Sequence, residues 1–233
     1  TGTEVGKSAL ALGVLAWARD RGLGTTYCKP VQCGDFPFGE PPAPHGDAEW
    51  MRALFPAPVN THVIHRFRSP VSPHLAAERE RTAIDLERVR REVETLVHQN
   101  DLLVVEGAGG AAAPLDRKGS SLGALAGELG LPCLIACAPG LGTLHHTLST
   151  IAYLERAAAP LAGFAFCSRD PELPEMYADN LRTLRELTGL PCFGTLPHLP
   201  ALSGPAPLDT GTLDRLIASL APALDSWWKT GPA

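Results

Sequence analysis

Apolar positions along the 233-residue chain fall into two alternating patterns. In the first they are spaced as on one helix face. Leu10, Val14 and Trp17 form such a stripe up to Arg21, and Leu86, Val89, Val93, Leu96 and Val97 form another with charges opposite. In the second, short unbroken apolar runs cover 102–106, 133–138 and 161–166, as expected of strands buried on both faces of a parallel sheet. A strand is expected at 25–29 and a weaker one at 192–195, with further helices at 47–54, 122–129, 144–157, 174–187 and 212–228. Segments 34–46 and 197–207 are rich in Gly and Pro and read as loops. Strands alternating with helices predict one α/β domain over residues 1–233, with a doubly wound, mostly parallel sheet. Such sheets bind ligands at the carboxyl ends of their strands.

The chain opens Thr1-Gly2-Thr3-Glu4-Val5-Gly6-Lys7-Ser8-Ala9 and runs straight into the first helical stripe. This is the pattern of a phosphate-binding loop: amides cradle phosphates, Lys7 reaches the β/γ oxygens and Ser8 faces Mg²⁺. A glycine turn with an incidental lysine is the plainer alternative, but the helix and the later strands agree with the loop. Because a strand normally precedes such a loop, a short apolar strand is expected before Thr1.

Composition narrows the classes. Lys+Arg 20 against Asp+Glu 25 gives a net charge of −5, without the basic footprint of a nucleic-acid binder. No apolar run is long enough for a membrane span, and no leader-like opening is present in the sequence as it stands. The six cysteines contain no CxxC, and five lie in or beside apolar runs as small hydrophobes. A reduced, cytoplasmic chain without structural zinc is expected. Lysine is scarce: Lys7, Lys29, Lys118 and Lys229 are the only four.

Four more motifs follow in order: Tyr27-Cys28-Lys29-Pro30-Val31, His45-Gly46-Asp47, Ser72-Pro73-His74 and Val105-Glu106-Gly107-Ala108-Gly109-Gly110. With the opening loop, this series resembles the dethiobiotin synthetase family, over most of the chain. The resemblance implies a P-loop fold and an ATP- and Mg²⁺-dependent ligase of biotin synthesis. Such an enzyme carboxylates 7,8-diaminopelargonate with CO₂ and closes its ureido ring through a carbamate and a carbamic–phosphoric anhydride. It also implies a homodimer.

By matching positions, Lys7 and Lys29 would be catalytic, offsetting the charge of γ-phosphate and carbamate. Ser8, Asp47 and Glu106 supply hard oxygens suited to Mg²⁺. For Asp47 alone, a helix N-cap is a serious alternative. Glu106, a carboxylate ending a buried apolar strand, requires a partner. Nucleotide contacts would come from Thr3, Glu4, Val5, Gly6 and Ala9 of the loop, from Gly107, Ala108 and Gly109, and from Cys167, Ser168, Pro197, His198 and Leu199 near the base. Substrate contacts would come from Cys33, Gly109, Leu141, Gly142 and Thr143; ordinary capping by Thr143 is the open alternative for the last. Ser72-Pro73-His74 reads as cleft lining or as a turn.

Three positions depart from the family pattern: Cys33 stands where a hydroxyl residue is usual, Cys167-Ser168-Arg169 where an asparagine commonly reads adenine, and Gly2 where an aspartate is common. The departure after residue 166 leaves the preferred nucleotide base open. The rival reading is a regulatory or partitioning P-loop ATPase of the same fold without ligase activity. Those carry a second lysine near the start of the loop, where this chain has Gly2-Thr3-Glu4.

Overall fold

The computed structural model describes residues 2–34, 46–55, 58–170, 172–203 and 207–231. Thr1 and His45 of the sequence motifs lie outside these. The elements are α1 (Lys7–Asp20), β1 (Thr25–Cys33), α2 (Asp47–Leu54), β2 (Asn60–Phe67), α3 (Pro73–Arg79), α4 (Leu86–Gln99), β3 (Leu102–Val105), α5 (Leu122–Glu128), β4 (Cys133–Cys137), α6 (Thr143–Arg156), β5 (Leu161–Cys167), α7 (Tyr177–Thr188), β6 (Cys192–Leu196), a 3-10 turn (Pro200–Ser203) and α8 (Thr210–Thr230).

The strands pair in parallel as two three-stranded sheets, ordered β2-β1-β3 and β4-β5-β6. Among the described residues β3 and β4 share no ladder. A cavity of about 250 Å³, lined by Leu103 and Val105 on one side and by Leu134 and Ala136 on the other, lies between them.

One core cluster underlies both sheets: Leu12, Leu15 and Trp17 of α1 and Leu216 and Leu220 of α8 pack with Tyr27 of β1, Ala165 of β5 and Leu196 of β6. Alternate strand residues point the other way. Cys28 joins Ile64, Ala76, Val89 and Val93 under α3 and α4, while Phe164 and Phe166 join Ile151, Leu154 and Leu184 under α6 and α7. Helices therefore cover both faces, giving the doubly wound α/β fold that the alternation predicts.

Three features differ from expectation. β1 does not end at Lys29 but runs through Pro30 to Cys33. Proline is tolerated there because the carbonyl of Cys28 already accepts the Glu106 amide beyond the last residue of β3; Pro30, two residues on, faces the same side past the end of that ladder. β2 was not expected. Its sequence, Asn-Thr-His-Val-Ile-His-Arg-Phe, is half polar because it is an edge strand with only Ile64 and Phe67 buried. The short helix α3 starts on Pro73 at its first turn, a favourable position for proline.

Candidate active site

The phosphate loop turns into α1 at Gly6, whose φ of 90° lies in the left-handed region. A Cβ at this position would stand 2.3 Å from Cys167 Cβ, so the loop rests directly on the end of β5. Cys167 Sγ donates to the Gly6 carbonyl at 3.6 Å. Cys167 therefore supports the phosphate loop from beneath. Lys7, in the first turn of α1, folds back to donate from Nζ to the Gly2 carbonyl at 2.5 Å.

β1 and β3 lie side by side, with Cys28 opposite Val105, so Lys29 and Glu106 emerge together at the strand ends. Both are nearly inaccessible, at 3% and 4% exposure. Lys29 Nζ lies 2.9 Å from Glu106 Oε1 and 2.5 Å from Asp47 Oδ2. Ser8 Oγ donates to Glu106 Oε1 at 2.9 Å and lies 3.4 Å from Asp47 Oδ1. The other Glu106 oxygen, Oε2, accepts from the Tyr27 hydroxyl at 2.8 Å. These are the partners that a buried strand-end carboxylate requires.

Asp47 is not a cap. The N-cap of α2 is Gly46, and the Asp47 carboxylate turns to Lys29 and Ser8 instead. A buried side chain on β1 sets its place: Gln32 Oε1 accepts the Ala48 amide at 3.1 Å, and Gln32 Nε2 donates to Glu49 Oε2 at 3.0 Å. These bonds pin the first turn of α2 to β1 and so fix Asp47 over Lys29.

Burial works to lower the Lys29 pKa, but the adjacent Glu106 and Asp47 carboxylates outweigh it and the net shift is upward. Lys7 is shifted downward, chiefly by burial and further by the charge of Lys29, with Glu106 opposing. Ser8, Asp47 and Glu106 form a hard-oxygen set within reach of one hydroxyl. No group of three His, Cys, Asp or Glu among the described residues is arranged to hold a metal alone. A cation here would complete its shell with phosphate oxygens and water, which fits Mg²⁺.

A cleft of about 1270 Å³ opens over this cluster. Thr3, Glu4, Gly6, Lys7, Ser8 and Ala9 line it, with Lys29, Asp47, Glu106, Ala108 and Gly109. Cys33 lines it beside Ser72 and Pro73. The other end is walled by Trp50, Cys167, Ser168, Arg169, Pro197, His198, Leu199 and Leu202. There Trp50 Nε1 donates to the Leu202 carbonyl at 3.1 Å, and Arg169 Nη1 reaches the Glu4 carbonyl at 3.3 Å and its Oε2 at 3.2 Å.

Five expected contact residues stay out of the cleft. Val5, partly buried, packs against the core that α1 and α8 share. Gly107 lines the cavity between the sheets, although its carbonyl accepts from Lys29 Nζ at 3.4 Å. Leu141, Gly142 and Thr143 sit apart from the cleft at the start of α6, with Leu141 93% exposed. Gly142 is the N-cap there, so Thr143 makes no side-chain cap, and its buried Oγ1 has no partner among the described residues. His74 Nδ1 is likewise buried without a partner among them.

Sequence reasoning passed over Tyr27, Gln32 and Trp50. Tyr27 had a usable signal: two residues before Lys29 on one strand, it faces the same way.

A family model described as an AAA domain matches residues 1–206. The protein named ATP-dependent dethiobiotin synthetase BioD from Frankia casuarinae is 36% identical over 225 residues, covering 96% of this chain and 90% of that protein. Its namesake from a Geobacillus species is 32% identical over 203 residues, covering 85% and 82%. The chain belongs to the dethiobiotin synthetase family. Among solved structures, this synthetase-family chain is similar to the septum site-determining protein MinD of Pyrococcus horikoshii, complexed with Mg-ADP (TM-score 0.57, 13% identity, covering 98% and 93%). It is also similar to the cell division ATPase MinD of Pyrococcus furiosus (TM-score 0.52, 15% identity, covering 95% and 94%). At that identity the likeness extends to the fold alone. No helix among the described residues is long and apolar enough to cross a membrane.

Proposed function

We propose that this chain is an ATP- and Mg²⁺-dependent dethiobiotin synthetase. It joins CO₂ to 7,8-diaminopelargonate and closes the ureido ring, releasing ADP and phosphate. The observation that carries this reading is the buried lysine, Lys29, held by Asp47 and Glu106 beside the phosphate loop. A P-loop protein acting through dimerisation alone has no use for a second buried cation there.

In the first step a substrate amine attacks CO₂, forming a C–N bond and, with loss of a proton, a carbamate. A carbamate oxygen then attacks the γ-phosphorus and ADP leaves. The second amine attacks the carbonyl carbon of the mixed anhydride, and phosphate leaves. Each step brings anions together, and the protein supplies fixed cations where they meet. Lys7, folded over the loop, neutralises the γ-phosphate. Lys29, kept protonated by its two carboxylates, binds the carbamate and the transferring phosphoryl group. Ser8, Asp47 and Glu106 would hold Mg²⁺, which offsets phosphate charge when bound.

Cys33 lines the cleft where the family usually has a hydroxyl. Burial pushes its thiol up to about 11, so it remains neutral and offers only a weak hydrogen bond. Thr3, Glu4 and the loop amides take the triphosphate, while Ser168, Pro197, His198 and Leu199 flank the base. Leu141, Gly142 and Thr143 would meet the distal substrate carboxylate of a second copy in a homodimer, which fits the exposure of Leu141 away from its own cleft. The six free cysteines fit a reducing cytoplasm. We read residues 1–233 as a single domain.

The deciding assay follows ADP release and dethiobiotin by mass spectrometry, with and without diaminopelargonate and bicarbonate. Turnover should require both, and Lys29→Ala should abolish product while retaining nucleotide binding. Full-rate hydrolysis without substrate and without dethiobiotin refutes the reading, and so does normal turnover by Lys29→Ala.

A further inference from the structure

Glu106 divides its two oxygens between different tasks. Oε1 faces the reaction cluster, accepting from Ser8 and Lys29 at 2.9 Å each, while Oε2 turns inward to the Tyr27 hydroxyl at 2.8 Å. Tyr27 is fully buried on β1, and its ring packs in the core that α1 shares with α8. Burial and the neighbouring Glu106 carboxylate hold the Tyr27 pKa far above its ordinary value, so the phenol stays a donor. A carboxylate bonded through one oxygen keeps a fixed rotamer and presents the other in one direction. Partners that orient ligands in this way commonly change metal affinity about 10- to 100-fold when removed.

We propose that Tyr27 is a positioning residue: its hydroxyl clamps Glu106 Oε2 so that Oε1 faces the cation that Ser8 and Asp47 share. The proposal rests on the reading of Ser8, Asp47 and Glu106 as the Mg²⁺ set. It does not require that the product be dethiobiotin. Tyr27→Phe removes one oxygen atom and keeps the ring that fills the core. Purely structural packing would therefore survive the change, whereas the clamp would not.

The test is Mn²⁺ binding to the protein–ADP complex by electron paramagnetic resonance, alongside ADP binding without metal and thermal unfolding. Tyr27→Phe should weaken Mn²⁺ about tenfold and raise the Mg²⁺ needed for half-maximal turnover by a similar factor. Its kcat at excess Mg²⁺ and its affinity for metal-free ADP should stay near wild type. Replacing Tyr27 with 4-aminophenylalanine, whose para N–H keeps a donor at the same reach, should recover part of the lost Mn²⁺ affinity; it is also the variant to read if the Phe protein lacks a cooperative melt. Unchanged Mn²⁺ affinity in Tyr27→Phe overturns the proposal, as does an equal loss of metal-free ADP binding. A wild type that binds Mn²⁺–ADP but makes no dethiobiotin refutes the function and leaves the clamp standing.

Discussion

Gly6→Ala is the most informative single change to the phosphate loop. Two costs follow from its position. The φ of 90° is left-handed, where an L-residue costs roughly 1–2 kcal/mol. The new methyl would also stand 2.3 Å from Cys167 Cβ and 2.9 Å from its Sγ, and forced overpacking of this kind costs about 1–3 kcal/mol. Cβ against strand-anchored Cβ offers no flexible end to swing away. The loop must lift off β5, carrying its amides and Lys7 with it. The combined cost, about 2–5 kcal/mol, should appear mainly as lost nucleotide affinity. If half of it does so, ADP binds about 5- to 60-fold more weakly, since about 1.4 kcal/mol is one decade. Titration calorimetry with Mg²⁺–ADP measures this, and thermal unfolding records the remainder. Cys167→Gly removes the opposing Cβ, so in a double-mutant cycle it should restore the overlap share of the loss but not the backbone share. Wild-type affinity in Gly6→Ala, or zero coupling between the two changes, would refute the reasoning.

Acid stability should depend on Glu49. Partial burial works to raise its pKa, but hydrogen bonds from Arg66 and Gln32 prevail and hold it at about 2, below the ~4.3 of an unfolded chain. Its contribution is therefore complete above about pH 4.3 and is lost as pH falls toward 2. Glu49→Gln should flatten that limb of a pH–stability curve, and an unchanged acid limb would remove Glu49 from the account. Intrinsic fluorescence should report nucleotide binding through Trp50, the one tryptophan lining the cleft; Trp17, Trp227 and Trp228 cluster between α1 and α8. Trp50→Phe should abolish the nucleotide-induced change while calorimetry still detects binding; a retained signal would place the bound nucleotide away from Trp50.

What the sequence made legible was local. The apolar runs of β3, β4 and β5 sit within a residue or two of their expected bounds, because those runs hold no polar position to blur them. Lys29 and Glu106 were legible as charges attached to such strands. β2 was hidden because an edge strand alternates and carries His62, His65 and Arg66. Pro30 suggested a strand end because its tolerance depends on where the neighbouring β3 stops, which no local pattern encodes. The same applies to Asp47: a cap and a carboxylate turned toward Lys29 look alike in sequence, and the Gln32 bonds across β1 set which one it is. Tyr27 and Glu106 are 79 residues apart, and their hydrogen bond follows from the parallel register of β1 and β3.

The cleft draws its walls from strands of both sheets. Lys29 and Glu106 ride on the panel formed by β2, β1 and β3, whereas Ser168 and His198 adjoin the panel formed by β4, β5 and β6. α1 packs with both, through Tyr27 of β1 and through Ala165 of β5 and Leu196 of β6, so one helix registers the two ends of the cleft against each other. A nucleotide lying along the cleft would reach from Lys29 and Glu106, at the ends of β1 and β3, across the phosphate loop seated on β5 and on to Ser168 and His198. Its affinity would then report the packing of α1 as well as the contacts made at each end of the ligand.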